Sequence, residues 1–178
     1  MSERTSEKSA PVTGPAGAGH VRRQGPFTWP QREWLKGRPH RSTVSGTDNV
    51  PVGVACDLTV DQAVSAVRAL VGRHEVLRTT YAHDPSDGSG TQYVATAPGP
   101  ARTLEEILRV VPEDEARDAF GRLRTHPFRL DEEWPLRVVL SERAGRVREI
   151  GVVVDHVAAD GAGAQVLRRD LGTLVARA

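Results

Sequence analysis

The sequence predicts an α+β fold: a two-layer sandwich in which a mixed or antiparallel sheet carries helices on one face. Three observations predict it. Segments of period two and of period 3.6 are interleaved along the chain in the order α, β, α, β, β, α, β, β, α. Two pairs of neighbouring strands are joined by short turn-forming stretches, residues 84–90 and 143–146, which marks hairpins rather than parallel crossovers. The 178 residues, 38% hydrophobic and 26% charged, are enough for one core and ordinary for a globular chain.

Residues 1–25 are Ser, Gly, Pro, Ala and charge without periodicity, which predicts a disordered tail and leaves residues 26–178 as the folded unit. Thr28 followed three residues later by Gln31 is a helix start, and Gly37 ends that helix. A loop follows over 37–49. Residues 50–58 read as a strand, with Val50, Val52 and Val54 on one face. Thr59 and Gln62 form a second capping box. Behind it Val60, Ala63, Val64, Val67, Leu70 and Val71 recur at helical spacing as far as His74.

A strand is predicted over 77–83, a turn over 84–90 and a returning strand over 91–96. Residues 104–110 read as a short helix. Pro112 and the carboxylates Glu113, Asp114 and Glu115 open another, running to about Thr125 with Ala116, Ala119, Phe120 and Leu123 inward. Strands over 136–141 and 147–155 form a hairpin. The last helix begins near Ala164, with Val166, Leu167, Leu171, Leu174 and Val175 apolar.

Composition excludes several function classes. A net charge of +1 favours neither nucleic acid nor a membrane surface, and no apolar run reaches transmembrane length. Only Lys8 and Lys36 are lysines, so the basic residues are almost all arginine. The single cysteine, Cys56, has no disulfide partner and sits in an apolar run, which suits a small buried side chain in a reducing cytoplasm.

The candidate site is Asp155-His156-Val157-Ala158-Ala159-Asp160-Gly161. An apolar strand, Ile150 to Val154, delivers one histidine to a turn with a carboxylate four residues on. A neutral imidazole titrates near the working pH and suits a general base. The same residue also reads as a satisfied core histidine. Asp155, His156 and Asp160 have no further His or Cys cluster around them, so no metal is expected. Gly161-Ala162-Gly163 lacks the lysine of a phosphate loop. Trp29, Trp34 and Trp134 read as core or interface anchors.

Three separated segments carry a resemblance. They are Arg73-His74-Glu75-Val76-Leu77-Arg78-Thr79-Thr80-Tyr81; His126-Pro127-Phe128-Arg129-Leu130 with Trp134-Pro135-Leu136-Arg137; and Val154 to Gly161. Together, and with the weaker Trp29 to Leu35, they resemble the condensation domains of nonribosomal peptide synthetases, of the chloramphenicol-acetyltransferase-like superfamily. The resemblance covers about residues 27 to 175 and fits the N-terminal lobe only, a half domain.

It implies that His156 is the catalytic histidine, acting on an amine or hydroxyl that attacks a thioester. It implies that Asp160 is structural and pairs with an arginine, Arg78 being the first candidate and Arg137 the second, and that Gly161 leaves room for substrate. Asp155 stands where the family has its first histidine. No bound cofactor is implied; a phosphopantetheine or coenzyme A thioester is the substrate carrier. Partners implied are a carrier protein or synthetase subunit, and another copy or a separate C-terminal lobe to complete the site. Two alternatives remain: a non-catalytic half domain that docks a carrier protein or synthetase, and a piece of a longer synthetase.

Overall fold

The computed structural model describes residues 21–38, 49–95, 104 and 106–178. Among the described residues seven strands form two sheets. A three-stranded antiparallel sheet has the order β1-β4-β3, from Val21–Pro26, Thr79–His83 (β3) and Gly90–Ala95 (β4). A four-stranded mixed sheet has the order β2-β7-β6-β5, from Asn49–Leu58, Leu108–Pro112 (β5), Leu136–Arg143 (β6) and Arg146–Asp155 (β7). In it β7 runs antiparallel to β2 and to β6, and β5 runs parallel to β6. The helices that accompany the sheets are α1 (Trp29–Leu35), α2 (Val60–Arg73), α3 (Glu113–Thr125) and α4 (Gly161–Val175).

Both expected hairpins are present, as β3–β4 and β6–β7. The capping boxes that start α1 and α2 are formed, with Thr59 accepting from the Gln62 amide at 3.2 Å. Val50, Val52 and Val54 share a face as their alternation predicts, packed with Leu136, Val138, Leu140, Ile150, Val152 and Val154. Against this face lie α2, through Ala63, Val67, Leu70 and Val71, and α4, through Ala164, Leu167 and Leu171.

The other face of the sheet is covered too, which extends the expected arrangement of helices on one side. Val153 meets Phe27, Leu35, Tyr81, Phe128 and Leu130 there, with Phe120 and Leu123 of α3 against them. Gly151 makes room for this crossing, because a Cβ there would stand 2.9 Å from the Phe120 ring. The four inward residues expected on α3 are only half-buried, whereas α2 buries five residues fully. At roughly 1.5–3 kcal/mol per buried aliphatic side chain, α2 anchors the fold and α3 rides on it.

Several elements differ from expectation. Residues 1–20 of the expected tail lie outside the described residues, but residues 21–25 belong to β1, which pairs with β4. A polar edge strand leaves no apolar alternation to read, and its partner lies seventy residues downstream. Of the helix expected over 104–110, residues 104, 106 and 107 are helical and residue 105 lies outside the described residues; residues 108–112 are β5 instead, drawn into line beside β6. The 3₁₀ turn Glu75–Arg78 precedes β3 and delays it to Thr79. The loop residues 39–48 and the strand end at residue 96 lie outside the described residues. Cys56 is half-buried and its Sγ reaches the Val147 carbonyl at 3.4 Å; burial pushes its thiol up, and the Asp57 and Glu149 charges add to that.

Candidate functional site

The site forms where β7 ends. Asp155 is its last residue, paired across to Asn49 of β2, and is buried at 5% exposure. Its backbone amide donates to the Pro135 carbonyl at 3.0 Å, and its own carbonyl accepts from the Ala158 amide at 3.0 Å. Its carboxylate Oδ1 accepts from the Val157 amide at 2.8 Å. The carboxylate closes the turn by accepting from the amide two residues on, as an Asx turn does. The inward Asp155 thereby turns the next side chain, His156, out of the sheet.

His156 is half-buried and lines a cleft of about 600 Å³ together with Trp29, Gln31, Glu33, Val76 and Asp160. Its ring is stacked on Trp34, with centroids 4.1 Å apart and planes 20° from parallel. Among the described residues its ring nitrogens make no hydrogen bond. The imidazole therefore keeps both nitrogens available to whatever enters the cleft. Tyr81, clustered with Val153 and Val157, is fully buried, and burial, reinforced by the Asp155 charge and offset in part by Gln31, pushes its phenol up.

Asp160 is exposed and caps α4: its Oδ1 accepts from the Gly163 amide at 2.7 Å and its carbonyl from the Ala164 amide at 2.8 Å. That cap starts the helix at Gly161, three residues before the expected start. Among the described residues Asp160 pairs with no arginine, which corrects the expected pairing. Arg78 is instead buried and spent on its own surroundings, donating to the carbonyls of Ala95, Val71 and Gly72 at 2.9, 2.9 and 3.0 Å and to Glu75 at 3.2 Å. Arg137 likewise donates to the carbonyls of His126 and Pro127 and to Glu133, each at 2.9 Å, and lies over the Phe128 ring at 3.9 Å. Both arginines stand in the matched motifs, but each organises its own motif rather than Asp160.

Nothing in the described structure stands within 4 Å of a Cβ placed at Gly161. The crowded glycine is Gly163, whose Cβ would meet that of Ala159 at 3.1 Å. Trp34 and Arg38 were not legible as site residues. Arg38 lays its guanidinium over the other face of Trp34, 3.8 Å from the centroid. Their four-residue spacing is a signal only once the helix and its facing turn are known. Among the described residues no three His, Cys, Asp or Glu are grouped to hold a metal. Nor is any described helix long and apolar enough to cross a membrane.

No protein-family model matches the chain. Over 123 residues it is 36% identical to the bassianolide nonribosomal cyclodepsipeptide synthetase of Beauveria bassiana, a match covering 68% of this chain and 4% of that one. Its fold matches the first condensation domain of the CDA synthetase with a TM-score of 0.65 at 20% identity, over 86% of this chain and 39% of that one. The chain is similar to the condensation regions of nonribosomal peptide synthetases. Its fold is the chloramphenicol-acetyltransferase-like one. The condensation-type chain is also similar to the X-domain from teicoplanin biosynthesis, solved in complex with OxyB, with a TM-score of 0.64 and 26% identity over 93% of this chain and 35% of that one. It thus spans about 4% of the length of the synthetase it matches and little more than a third of these solved chains.

Proposed function

We propose that this chain supplies the histidine-bearing wall of a condensation-type acyl-transfer site in nonribosomal peptide or related biosynthesis. Residues 26–178 are the lobe that carries it, and a second lobe or subunit closes it. The observation that supports this most is the placement of His156: on the rim of an open cleft, stacked on an aromatic ring, with no hydrogen bond on either nitrogen among the described residues. A histidine kept for packing is normally satisfied by the protein around it.

The substrate is an acyl thioester on the phosphopantetheine arm of a carrier protein or on coenzyme A. The acceptor is an amine or hydroxyl. A ring nitrogen of neutral His156 takes the acceptor's proton as the acceptor attacks the thioester carbonyl, the C–S bond breaks, and the leaving thiolate recovers the proton from the imidazolium. Asp160 engages the Gly163 amide, so the first-turn amides of Gly161 and Ala162 remain to meet the carbonyl oxygen as it gains charge. Asp155 holds the turn. A cytoplasmic setting goes with this reading.

The likeness to an X-domain solved with OxyB favours one second reading, a docking module that recruits a carrier protein or synthetase without chemistry. One experiment separates the two. Candidate carrier proteins with loaded thioesters are mixed with the chain and with a complementary lobe, and both binding and acyl transfer are measured for wild type and His156→Ala. The catalytic reading expects transfer that His156→Ala abolishes with binding retained. Binding without transfer in either protein selects the docking module. Light scattering on the chain alone reports whether another copy serves as the second wall.

A further inference from the structure

We propose that Trp34 is the positioning residue of His156, and that Arg38 clamps Trp34 from the far face. This rests on the reading of His156 as the base. A catalytic imidazole is ordinarily aimed by a carboxylate or carbonyl bonded to its second nitrogen. Here no such partner exists among the described residues; Asp155 closes the turn and Asp160 caps a helix. The one feature that fixes the plane of the ring is the indole, 4.1 Å away and 20° from parallel.

The indole is itself held unusually. Its Nε1 is buried with no hydrogen-bond partner among the described residues, so its own polar handle does not orient it. Arg38 sits on its outer face at 3.8 Å, a cation on a π surface. Arg38 is in turn anchored by its backbone: its amide donates to the Leu35 carbonyl at 3.0 Å, and its carbonyl faces His83 Nε2 at 3.0 Å. The neighbouring Gly37 amide donates to the Pro85 carbonyl at 2.8 Å. The β3–β4 hairpin thus sets Arg38, Arg38 sets Trp34, and Trp34 sets His156. Stacking leaves both nitrogens open, which a hydrogen-bonded arrangement cannot do.

The test uses the full chain with two readouts. In side-chain NMR, the His156 ring protons are expected upfield from ring current in wild type, largely so in Trp34→Phe, and at ordinary positions in Trp34→Leu. In the composite transfer assay, Trp34→Leu is expected to lower kcat on the order of tenfold with KM little changed, and Trp34→Phe to restore most of it. Arg38→Gln, at the edge of the stack, is expected to weaken the upfield shift and lower kcat severalfold. It covers the case in which Trp34→Leu does not fold.

Unchanged His156 resonances in Trp34→Leu overturn the proposal. So does unchanged kcat in that variant while His156→Ala abolishes transfer. If His156→Ala leaves transfer intact, the base reading fails by itself; loss of the ring-current shift in Trp34→Leu then still supports the stacking role, and its persistence overturns it.

Discussion

Gly161 and Gly163 sit two residues apart at the start of α4, and only one of them is crowded by its own lobe. A Cβ at Gly163 would press on Ala159, whereas one at Gly161 meets nothing within 4 Å. Neither has a positive φ, so neither is required by backbone conformation. Stability therefore gives no reason for glycine at position 161. Gly161→Ala is expected to leave the folding free energy within about 1 kcal/mol of wild type, since alanine suits a helix at least as well. Acyl transfer in the presence of a complementary lobe is expected to fall. Urea unfolding and the transfer assay check the two halves; a loss of transfer that merely follows a loss of stability rejects the role.

The residue scale also shows what the sequence could and could not say. His156 was placed on a strand end by the apolar run before it, and the run forms as read. The fate of Asp155 and Asp160 was not readable, because a carboxylate can close a turn, cap a helix or pair with an arginine. Only the direction of the side chain decides, and the chain around it sets that direction. Arg78 and Arg137 were singled out for charge, but their burial left them facing backbone carbonyls.

Among the elements, α2 and α4 are joined by a polar clasp beside their apolar contact. Asp170 of α4 is buried and takes His74 Nε2 at 3.0 Å, Arg169 at 3.3 Å and Arg73 at 3.6 Å. Burial opposes ionisation of this carboxyl, but the Arg169 and His74 hydrogen bonds and the Arg73 and Arg169 charges outweigh it. They hold the group below the usual carboxylate range. The sign follows by linkage. A lowered folded value means the clasp stabilises fully above the unfolded carboxylate value of about 4, and the contribution is lost as pH falls through the folded value. Asp170→Asn is expected to lower Tm at pH 7, and the gap to wild type is expected to close as pH drops below about 4. Thermal melts across that range check it; a constant gap rejects the charge-based account.

Element boundaries were legible where a cap or a long period marked them. Thr59 and Gln62 announced α2, and the alternation at Val50, Val52 and Val54 announced β2. β1 and β5 were missed because short edge strands take their form from a partner. β5 has apolar residues that fit a helical turn equally well, until β6 lies beside it.

At the scale of the whole molecule, the cleft lies between α1, Val76 and the turn that follows β7. Trp29 stands at its rim with 74% of its surface exposed, an unusual position for so large an apolar side chain. A complementary lobe that completes the site is expected to cover it. Mixing the two is expected to shift indole emission to shorter wavelength, and Trp29→Ala to remove most of that shift. Emission that does not change while transfer is restored places the second wall elsewhere.

The strand that carries the site also governs how the molecule comes together. β7 pairs with β2 on one side and β6 on the other, joining Asn49 to Asp155 across most of the folded sequence. Until it is made, β2 has no neighbour in its sheet, and α2 and α4 lack the central strand of the face they cover. Such sequence-distant pairing is slow, because the loop must close before any contact rewards it. During synthesis the histidine turn emerges directly behind this last central strand, so the step that completes the sheet also delivers the imidazole to Trp34. Completion of the sheet and formation of the His156–Trp34 stack are thus one event in this chain.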